Sequence, residues 1–340
     1  MKKKDIEGLA RELDSQDMVG YTRNFMDDFE SAISKEIDID VDKDWSGVLC
    51  LGMGGSGAGG MFLSTLADYS GGIPFVVWRD YGLPSWWGPD WLVLATSYSG
   101  NTEETLEAFE IAKAKSAEIA CVTSGGKLLE WAKENNFNHI QLPTAESPRT
   151  MMGYSITQLL YFLNHYGLIS DTIKAELNKA ATLIDDLQEE IRADAERISD
   201  HLEGKIPVIY ACDGYGGMAV RFRQQLNENA KMLCWHHIVP EMNHNEIVAW
   251  CSEGHSRAMI ALTCEGIHPR SQARLQWVMD NVENQVSWRI ECEGESVLER
   301  LLYAAHVTDW VSIMLAVLKG QDPSDMAPID SLKAFLSTVQ

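Results

Sequence analysis

Three hydroxyl side chains surround one glycine near position 100. Ser97, Ser99 and Thr102 flank Gly100, directly after the apolar run 91–95 and before a segment with a helical pattern. A dianionic phosphate needs several donors at once, and hydroxyls together with the free N–H groups of a helix N-terminus supply them. Each charge-assisted hydrogen bond contributes about 1.5–3 kcal/mol, so three hydroxyls and helix amides can hold a phosphate without a lysine. This segment therefore predicts a phosphate-binding loop.

The same segment also has a purely structural interpretation. Asn101 would cap the following helix, and Glu104 would complete a capping box. This alternative accounts for Asn101 and Glu104, but it gives no role to Ser97, Ser99 and Gly100. Phosphate binding explains more of the segment and is the preferred interpretation.

A second glycine-rich turn follows the first apolar run of the chain. Residues 52–57 satisfy the pattern G-x-G-x-x-G after the run 48–51, and Asp80 ends the next run. Such a pattern is typical of dinucleotide sites, so a nicotinamide dehydrogenase is one alternative. Against it, Ser56 adds a hydroxyl to the turn, and the chemistry is concentrated on hydroxyls in two loops rather than on glycines alone.

Short apolar runs alternate with helical patterns in the first half of the chain. Strands that alternate with helices form a parallel sheet covered on both faces, so this half is predicted to be an α/β unit. A helical lead-in near residues 5–35 precedes it, and a helix-like segment covers about 58–69. The predicted strands are 48–51, 74–78, 91–95, 119–122 and, more weakly, 139–142.

The second half repeats this order of elements. After helical segments over 151–202, the run 208–212, the glycine turn 213–217 and a helix to about 229 resemble the start of the first half. The chain is therefore predicted to have two α/β domains, 1–168 and 203–340, joined by a helical connector, 169–202. Further elements are predicted as a run at 232–238, strands at 246–250, 257–262 and 286–290, a long helix at about 296–318 and a short helix after Pro328.

Composition excludes several classes of partner. The 340 residues are 45% hydrophobic, which suffices for two domain cores, and 50 acidic against 28 basic residues give a formal charge of -22. That charge repels nucleic acid and anionic membranes. We expect a cytoplasmic protein, because no stretch approaches the run of about 18 apolar residues that spans a bilayer and the N-terminus lacks an apolar secretion segment. Seven scattered cysteines without a C-x-x-C pair indicate neither a disulfide framework nor a thiolate metal site.

The two loops carry a family resemblance. Gly54-Gly-Ser-Gly57 together with Thr96–Thr105 resembles the sugar isomerase (SIS) domain, and the whole chain resembles the bifunctional phosphoglucose/phosphomannose isomerases of archaea and some bacteria. The resemblance implies two SIS domains in tandem, each a flavodoxin-like, three-layer α/β fold with a parallel sheet. The supporting segments span the chain and are Arg79–Pro84, Ser147–Tyr154, Asn227–Lys231, Glu241–Glu246 and Ile329–Lys333.

The resemblance also implies an activity and its residues. The activity is interconversion of glucose 6-phosphate and fructose 6-phosphate through a cis-enediol. Glu228 matches the carboxylate that shuttles the proton, and Arg149 matches the arginine that stabilises the enediolate. His244 matches the histidine that assists ring opening in the neighbouring subunit's site, which implies a homodimer, and Lys333 works with it on the ring oxygen. The substrate phosphate is placed on Gly55, Ser56, Ser97, Ser99 and Thr102. Use of mannose 6-phosphate depends on room near the C-terminal lysine, where the bulky Met326 stands.

Three of these residues have a structural alternative. Glu228 could pair with Lys231 at a helix end, His244 could be an ordinary histidine of a polar loop, and Lys333 could be a solvated surface residue. His306 and Asp309 lie at i,i+3 on the long helix and suggest a metal pair or a base with its orienting partner, but a packing hydrogen bond is preferred. No H-x-x-x-H pair or carboxylate cluster accompanies them, so the enzyme is predicted to need no metal or other cofactor.

A non-catalytic sugar-phosphate sensor is the main rival function. SIS domains also serve as ligand-binding modules, and such a protein would keep the serine loop without needing a base. Glu228, His244 and Lys333 in their family context, and the absence of a basic DNA-binding segment, favour an enzyme.

Overall fold

The computed structural model describes residues 6–33, 44–70, 72–145, 147–212, 214–250, 256–282 and 286–339. Two parallel sheets with helices packed on their faces organise this part of the chain. Position 213, Cys251 and the two ends of the predicted lead-in, 5 and 34–35, lie outside the described residues.

The first sheet has the order β2-β1-β3-β4-β5 and consists of β1 (Val48–Leu51), β2 (Phe75–Trp78), β3 (Leu92–Thr96), β4 (Ile119–Thr123) and β5 (Asn138–Gln141). The second has the order β7-β6-β8-β9 and consists of β6 (Ile206–Cys212), β7 (Trp235–Val239), β8 (Arg257–Thr263) and β9 (Val286–Glu291).

Helices precede the first sheet and connect the strands of both sheets. Those that precede the first sheet or connect its strands are α1 (Ile6–Leu13), α2 (Met18–Arg23), α3 (Phe25–Ile33), α4 (Gly54–Ser70), α5 (Glu103–Ala114) and α6 (Gly126–Glu134). The remaining helices are α7 (Met152–His165), α8 (Ile173–Asp186), α9 (Gln188–Leu202), α10 (Gly216–Glu228), α11 (Pro269–Asn281), α12 (Val297–Leu318) and α13 (Ala327–Leu336). Short 3-10 turns cover Pro148–Met151, Glu241–His244 and Glu246–Val248.

The first sheet brings the two predicted loops together. β1 pairs with β3 in parallel, with Leu51 opposite Ala95, so the carboxyl ends of both strands lie side by side. From β1 the chain enters α4 towards β2, whereas from β3 it enters α5 towards β4. The crevice between strands whose connections run in opposite directions is where open α/β sheets bind ligands.

The second sheet repeats the start of the first. β6 lies between β7 and β8, just as β1 lies between β2 and β3. The predicted repeat and the fold class are confirmed, since two parallel α/β sheets of the same local order follow one another in the chain.

The two repeats contact each other through equivalent helices. α4 follows β1 and α10 follows β6, and the two helices pack directly together. A Cβ atom at Gly217 would lie 3.1 Å from the carbonyl oxygen of Met61, so glycine allows this close approach. The hydroxyl of Thr65 donates a hydrogen bond to the carbonyl of Gly214 across the same contact. The first turn of α10 is therefore fixed against the middle of α4.

Helix α12 is the core helix of the second half. A capping box between Ser296 and Glu299 begins it, and almost all of its side chains are buried. It packs against α8, α9 and α10, so the helices of the predicted connector cover its surface. By length and composition α12 is apolar enough to cross a membrane, with 94% of its most apolar window buried inside the protein. The expectation that no stretch approaches about 18 apolar residues was therefore wrong for α12. This helix is apolar because its side chains pack against other parts of the protein on every side.

One predicted strand is absent. Residues 246–250 were predicted to be a strand, but the chain there forms a 3-10 turn, Glu246–Val248. The carboxylate of Glu246 accepts hydrogen bonds from the Tyr210 hydroxyl and from Trp235 Nε1, the latter at 3.0 Å. The other carboxylate oxygen lies 2.9 Å from His237 Nδ1. These contacts attach the turn to strands β6 and β7, so the segment packs against the sheet without forming a further strand.

Candidate active site

The loop after β3 is shaped by its own hydroxyls. Ser97 is buried, and its Oγ lies 2.8 Å from Thr102 Oγ1 and accepts the Gly100 N–H at 3.1 Å. Gly100 has φ +67°, and a Cβ atom there would lie 1.8 Å from the carbonyl oxygen of Gly125. Ser99 is exposed and accepts the Asn101 N–H at 3.3 Å. The structure thus brings Ser97, Thr102 and Gly100 together in one tight turn at the start of α5.

The capping alternative for this segment was wrong. Thr102, not Asn101, is the N-cap residue of α5, and no side chain makes a capping hydrogen bond there. Asn101 instead donates to the carbonyl of Ser99 at 3.1 Å and accepts the Lys127 N–H at 3.2 Å. Among the described residues, no side chain accepts the N–H groups at the start of α5, so these groups can bind an anion.

The loop after β1 faces this turn. A Cβ atom at Gly52 would lie 2.7 Å from Thr96 Cγ2, so the ends of the two strands are in contact. Ser56 lies in the first turn of α4, is half-buried, and its hydroxyl has no hydrogen-bond partner among the described residues. A Cβ atom at Gly55 would lie 4.0 Å from the Cα of Arg149, which places Arg149 directly beside this loop.

Arg149 is a buried cation held by three groups. It lies in the 3-10 turn before α7, and its Nε donates to Asn229 Oδ1 at 2.7 Å. Nη2 donates to the carbonyl oxygen of Pro323. Nε also lies 3.9 Å from Glu228 Oε2. Burial lowers the pKa of the Arg149 guanidinium, and the nearby Glu228 carboxylate opposes this shift.

Glu228 is the last residue of α10 and is partly exposed. Its side chain retains 25% of its accessible surface, and its ion-pair partner is Arg149. One turn earlier on the same helix, Gln224 Nε2 donates to the carbonyl of Gly54 at 3.2 Å. Because residues four apart share a helix face, Glu228 lies on the face of α10 that meets the loop after β1.

The helix-end pair between Glu228 and Lys231 does not describe the structure. The Lys231 ammonium donates to the main-chain carbonyl oxygens of Glu228 at 2.6 Å and Asp322 at 2.8 Å. Burial, followed by the nearby Arg149 cation, lowers the pKa of Lys231. Lys231 thus fixes the backbone around the carboxylate and leaves the carboxylate itself to Arg149.

A buried polar network supports Arg149 from behind. Arg221 binds Asp309 at 2.7 Å and donates to the carbonyl of Arg149 at 3.3 Å. Gln225 binds Asp309 at 2.8 Å, and Asn229 donates to Ser312 Oγ at 2.9 Å. Sequence analysis missed Arg221, Gln225 and Asn229 as a group. Their four-residue spacing on an otherwise buried helix was the signal that could have revealed them.

His306 and Asp309 do not act as a pair. Trp310 Nε1 donates to His306 Nε2 at 3.2 Å, and Gln188 Oε1 lies 3.3 Å from the same atom, whereas Asp309 binds Arg221 and Gln225. Burial lowers the pKa of His306 to about 3. Within the described ranges, no group of three His, Cys, Asp or Glu side chains is arranged to hold a metal ion.

Comparison with known proteins identifies the family of the chain. The family model "Bacterial phospho-glucose isomerase C-terminal SIS domain" matches residues 191–336. The chain is 35% identical over 322 residues to the bifunctional phosphoglucose/phosphomannose isomerase of Caldicellulosiruptor bescii, covering 91% of this chain and 95% of that protein. It is also 35% identical over 305 residues to the protein of the same name from Aquifex aeolicus, covering 87% and 93%. The chain belongs to the bifunctional phosphoglucose/phosphomannose isomerase family.

The fold of this family member is that of tandem SIS domains. It superposes on the solved C-terminal domain of glucosamine-fructose-6-phosphate aminotransferase from Francisella tularensis with a TM-score of 0.72, at 14% sequence identity, covering 92% of this chain and 98% of that chain. At that identity the likeness concerns the fold alone.

Two expected residues of this isomerase-family chain lie outside the cluster. His244 is exposed in the turn Glu241–His244, and Lys333 is exposed on α13. Within the described part of the chain, neither side chain makes a hydrogen bond or ion pair with Arg149 or Glu228. A single copy thus brings together the loops after β1 and β3, Arg149 and Glu228, and leaves His244 and Lys333 at its surface.

Proposed function

We propose that this chain is an aldose–ketose isomerase that interconverts glucose 6-phosphate and fructose 6-phosphate and also accepts mannose 6-phosphate. The observation that carries the proposal is the partly exposed Glu228 carboxylate beside the buried Arg149 cation, on the helix face that meets the loop after β1. Family membership supports the same reaction, because the relatives described above are named for both sugars.

Proton transfer is assigned to Glu228. In the open-chain aldose, its carboxylate removes the proton from C2 while the C1 carbonyl oxygen gains one, which yields the cis-enediol. Glu228 then returns this proton to C1, and the O2 hydroxyl loses its own proton, which gives the ketose. Arg149 has a fixed positive charge and lies 3.9 Å from the carboxylate, so it can stabilise negative charge that develops on O1 and O2.

Phosphate binding is assigned to the loops after β1 and β3. Ser56, Ser97, Ser99, Thr102 and the N–H of Gly55 are the proposed donors. The free helix N–H groups of α5 support this assignment, because the net charge of the chain offers no general attraction for an anion.

We propose a homodimer in which His244 completes the neighbouring copy's site together with Lys333. Helix α13 has no buried residue, even though several of its side chains are apolar. Ile329, Leu332 and Phe335 keep 41%, 55% and 63% of their surface exposed. A helix of this composition gains stability only by packing against something else, and a second copy of the chain supplies the missing surface.

The proposed setting is the cytoplasm, without a metal or cofactor and without a nucleic-acid or membrane partner. The six described cysteines are free, as expected in a reducing compartment. The formal charge of -22 opposes binding to polyanions.

A coupled assay of the purified protein tests this function. We expect the purified protein to convert fructose 6-phosphate to glucose 6-phosphate and mannose 6-phosphate to fructose 6-phosphate. EDTA should leave both rates unchanged. Glu228→Gln should lower kcat at least about a thousandfold, since general-base catalysis contributes a factor of about 10²–10⁴ and here the same group both removes and returns the proton. The matched control is Glu134→Gln, an exposed carboxylate at the end of α6, which should keep full activity.

The same protein distinguishes the rival functions. A sensor would raise its melting temperature with fructose 6-phosphate yet show no turnover, and a dehydrogenase would respond to NAD instead. Turnover that survives in Glu228→Gln would remove this residue from the role of base.

A further inference from the structure

Asn229 lies between the catalytic pair and the protein core. It directly follows Glu228, is completely buried, and its two side-chain polar atoms are both used. Oδ1 accepts the Nε–H of Arg149 at 2.7 Å, while Nδ2 donates to Ser312 Oγ at 2.9 Å. Ser312 in turn donates to the carbonyl of Asp309 at 2.7 Å, which fixes the amide from the side of α12. The amide orientation is therefore set by the core and presents an acceptor to Arg149.

The guanidinium of Arg149 is turned away from Glu228 by this acceptor. Its Nε–H points to Asn229 and its Nη2 to the carbonyl of Pro323, whereas the closest approach to the Glu228 carboxylate is 3.9 Å. An arginine and a carboxylate this close normally form two parallel hydrogen bonds of about 2.7–2.9 Å. Here the neutral acceptors bind the N–H of Nε and one N–H of Nη2, the two donors that a side-on pair with a carboxylate would use.

Other charges around Glu228 do not explain this geometry. The charged groups that influence the neighbouring cations are Arg149, Lys231, Arg221, Asp309, Asp322 and Asp325. Lys231 donates to carbonyl oxygens of Glu228 and Asp322, and Arg221 is neutralised by Asp309. Among these groups, Glu228 is the acceptor nearest to the Arg149 Nε once Asn229 is removed.

We infer that Asn229 is a positioning residue that, with the Pro323 carbonyl, holds the Arg149 guanidinium beside Glu228 and prevents the two from closing a two-point ion pair. The catalytic meaning of this inference rests on the proposed isomerase function. A carboxylate in a closed ion pair is a weaker base and is blocked from substrate, while a guanidinium in such a pair has less charge to offer an enediolate. Asn229 thus keeps both groups available at a short distance.

Two substitutions of Asn229 should have opposite effects. In Asn229→Ala the Nε–H loses its acceptor and turns to Glu228, so the carboxyl should titrate at lower pH than in the wild type. In Asn229→Asp the acceptor is retained and a negative charge is added beside Glu228, so the carboxyl should titrate at higher pH. The matched control is Asn227→Ala, which removes a hydrogen bond from the same turn, between Asn227 Nδ2 and the Met232 carbonyl at 2.6 Å, without touching Arg149.

Two measurements on the full-length protein decide the matter. The first is the titration of the Glu228 carboxyl by NMR with ¹³C-labelled glutamate, assigned by loss of the signal in Glu228→Gln. The second is the pH dependence of kcat/KM, whose acidic limb should move with the NMR titration. In the same kinetic series, kcat should fall about tenfold in Asn229→Ala. A purely structural role would lower stability and activity without displacing either curve.

The outcomes separate the inference from the proposed function. Superimposable carboxyl titrations in the wild type and Asn229→Ala would overturn the inference, as would the same displacement in Asn227→Ala. If the wild type converts no hexose phosphate, the proposed function fails, yet the carboxyl titration still decides whether Asn229 holds Arg149 away from Glu228.

Discussion

Gly100 is the residue on which the geometry of the phosphate loop depends most directly. Its φ of +67° is unfavourable for any side chain, and a Cβ atom would overlap the Gly125 carbonyl at 1.8 Å. The loop and the start of α6 would have to separate, which would displace Ser97 and Thr102 from their 2.8 Å contact.

Gly100→Ala is predicted to raise the KM for fructose 6-phosphate at least about tenfold, the equivalent of losing about 1.4 kcal/mol of phosphate binding. Steady-state kinetics on folded protein measure this. The control is Gly167→Ala, which has a similar φ of +70° but no atom within 4 Å of the new Cβ, and which should leave KM unchanged. Equal effects of both substitutions would show that backbone strain alone, rather than the loop contact, is responsible.

At the residue scale, the sequence predicted the groups that lie in short local motifs. Ser97, Thr102 and Gly100 meet because they are neighbours in one turn, and their types already indicate an anion. Asn229 and Asp309 could not be found in this way. Their partners lie 80 and 88 residues away. Packing of α10 against α12 brings Asp309 to Arg221, whereas Asn229 meets Arg149 because the end of α10 lies beside the 3-10 turn that precedes α7.

At the element scale, His306 shows how helix packing controls the charge of a side chain. The imidazole stacks on Phe25 with ring centroids 5.4 Å apart and lies between α3, α9 and α12. Burial lowers its pKa from 6.5 to about 3, so the folded chain holds it neutral. The unfolded chain binds a proton there below about pH 6.5, so the folded state loses stability as the pH falls from about 6.5 towards 3.

His306→Gln is predicted to reduce this loss. Between pH 7.5 and 5, the wild type should lose about 2 kcal/mol more unfolding free energy than the variant, from about 1.4 kcal/mol per pH unit below the ordinary histidine pKa. Urea unfolding at the two pH values measures the difference, and the absolute stability of the variant does not enter it. The exposed His139 provides the control, since His139→Gln should retain the pH dependence of the wild type. An unchanged pH dependence in His306→Gln would contradict the prediction.

The mistaken strand at 246–250 has a physical reason at the same scale. Ile247, Val248 and Trp250 give the segment an apolar character that periodicity alone cannot distinguish from a strand. The decisive interactions come from Glu246 and from Trp250, whose Nε1 donates to the Tyr210 hydroxyl at 2.7 Å. Side-chain bonds to β6 and β7 therefore fix this segment, and no local pattern announces them.

At the scale of the whole molecule, the sequence predicted the order of elements and their repetition. Both sheets follow from short apolar runs such as 48–51 and 208–212, because buried parallel strands show nearly continuous apolar sequence. The packing of α12 at the centre, with α8 and α9 on its surface, was not predicted, since a helix that is apolar on every side does not indicate which neighbour it meets.

The proposed shared site predicts complementation between two inactive chains. Glu228→Gln and His244→Asn should each be inactive alone, yet random exchange of subunits should restore about a quarter of the wild-type activity, since half of the dimers would be mixed and each would hold one intact site of two. Co-expression followed by the coupled assay measures this, with sedimentation to establish the dimer. If His244 served its own chain, every mixed dimer would have two defective sites and no activity would return.

In the proposed site, the contact between α4 and α10 sets the distance that a substrate must span. There the first half of the chain would bind the phosphate ester and the second half would supply the base, so their separation would depend on how closely the two helices approach. A methyl group at Gly217, 3.1 Å from the Met61 carbonyl, would widen that separation by a few tenths of an ångström. In the proposed site, discrimination between sugar phosphates of different carbon number would then depend on a residue that is buried between two helices and contacts no sugar.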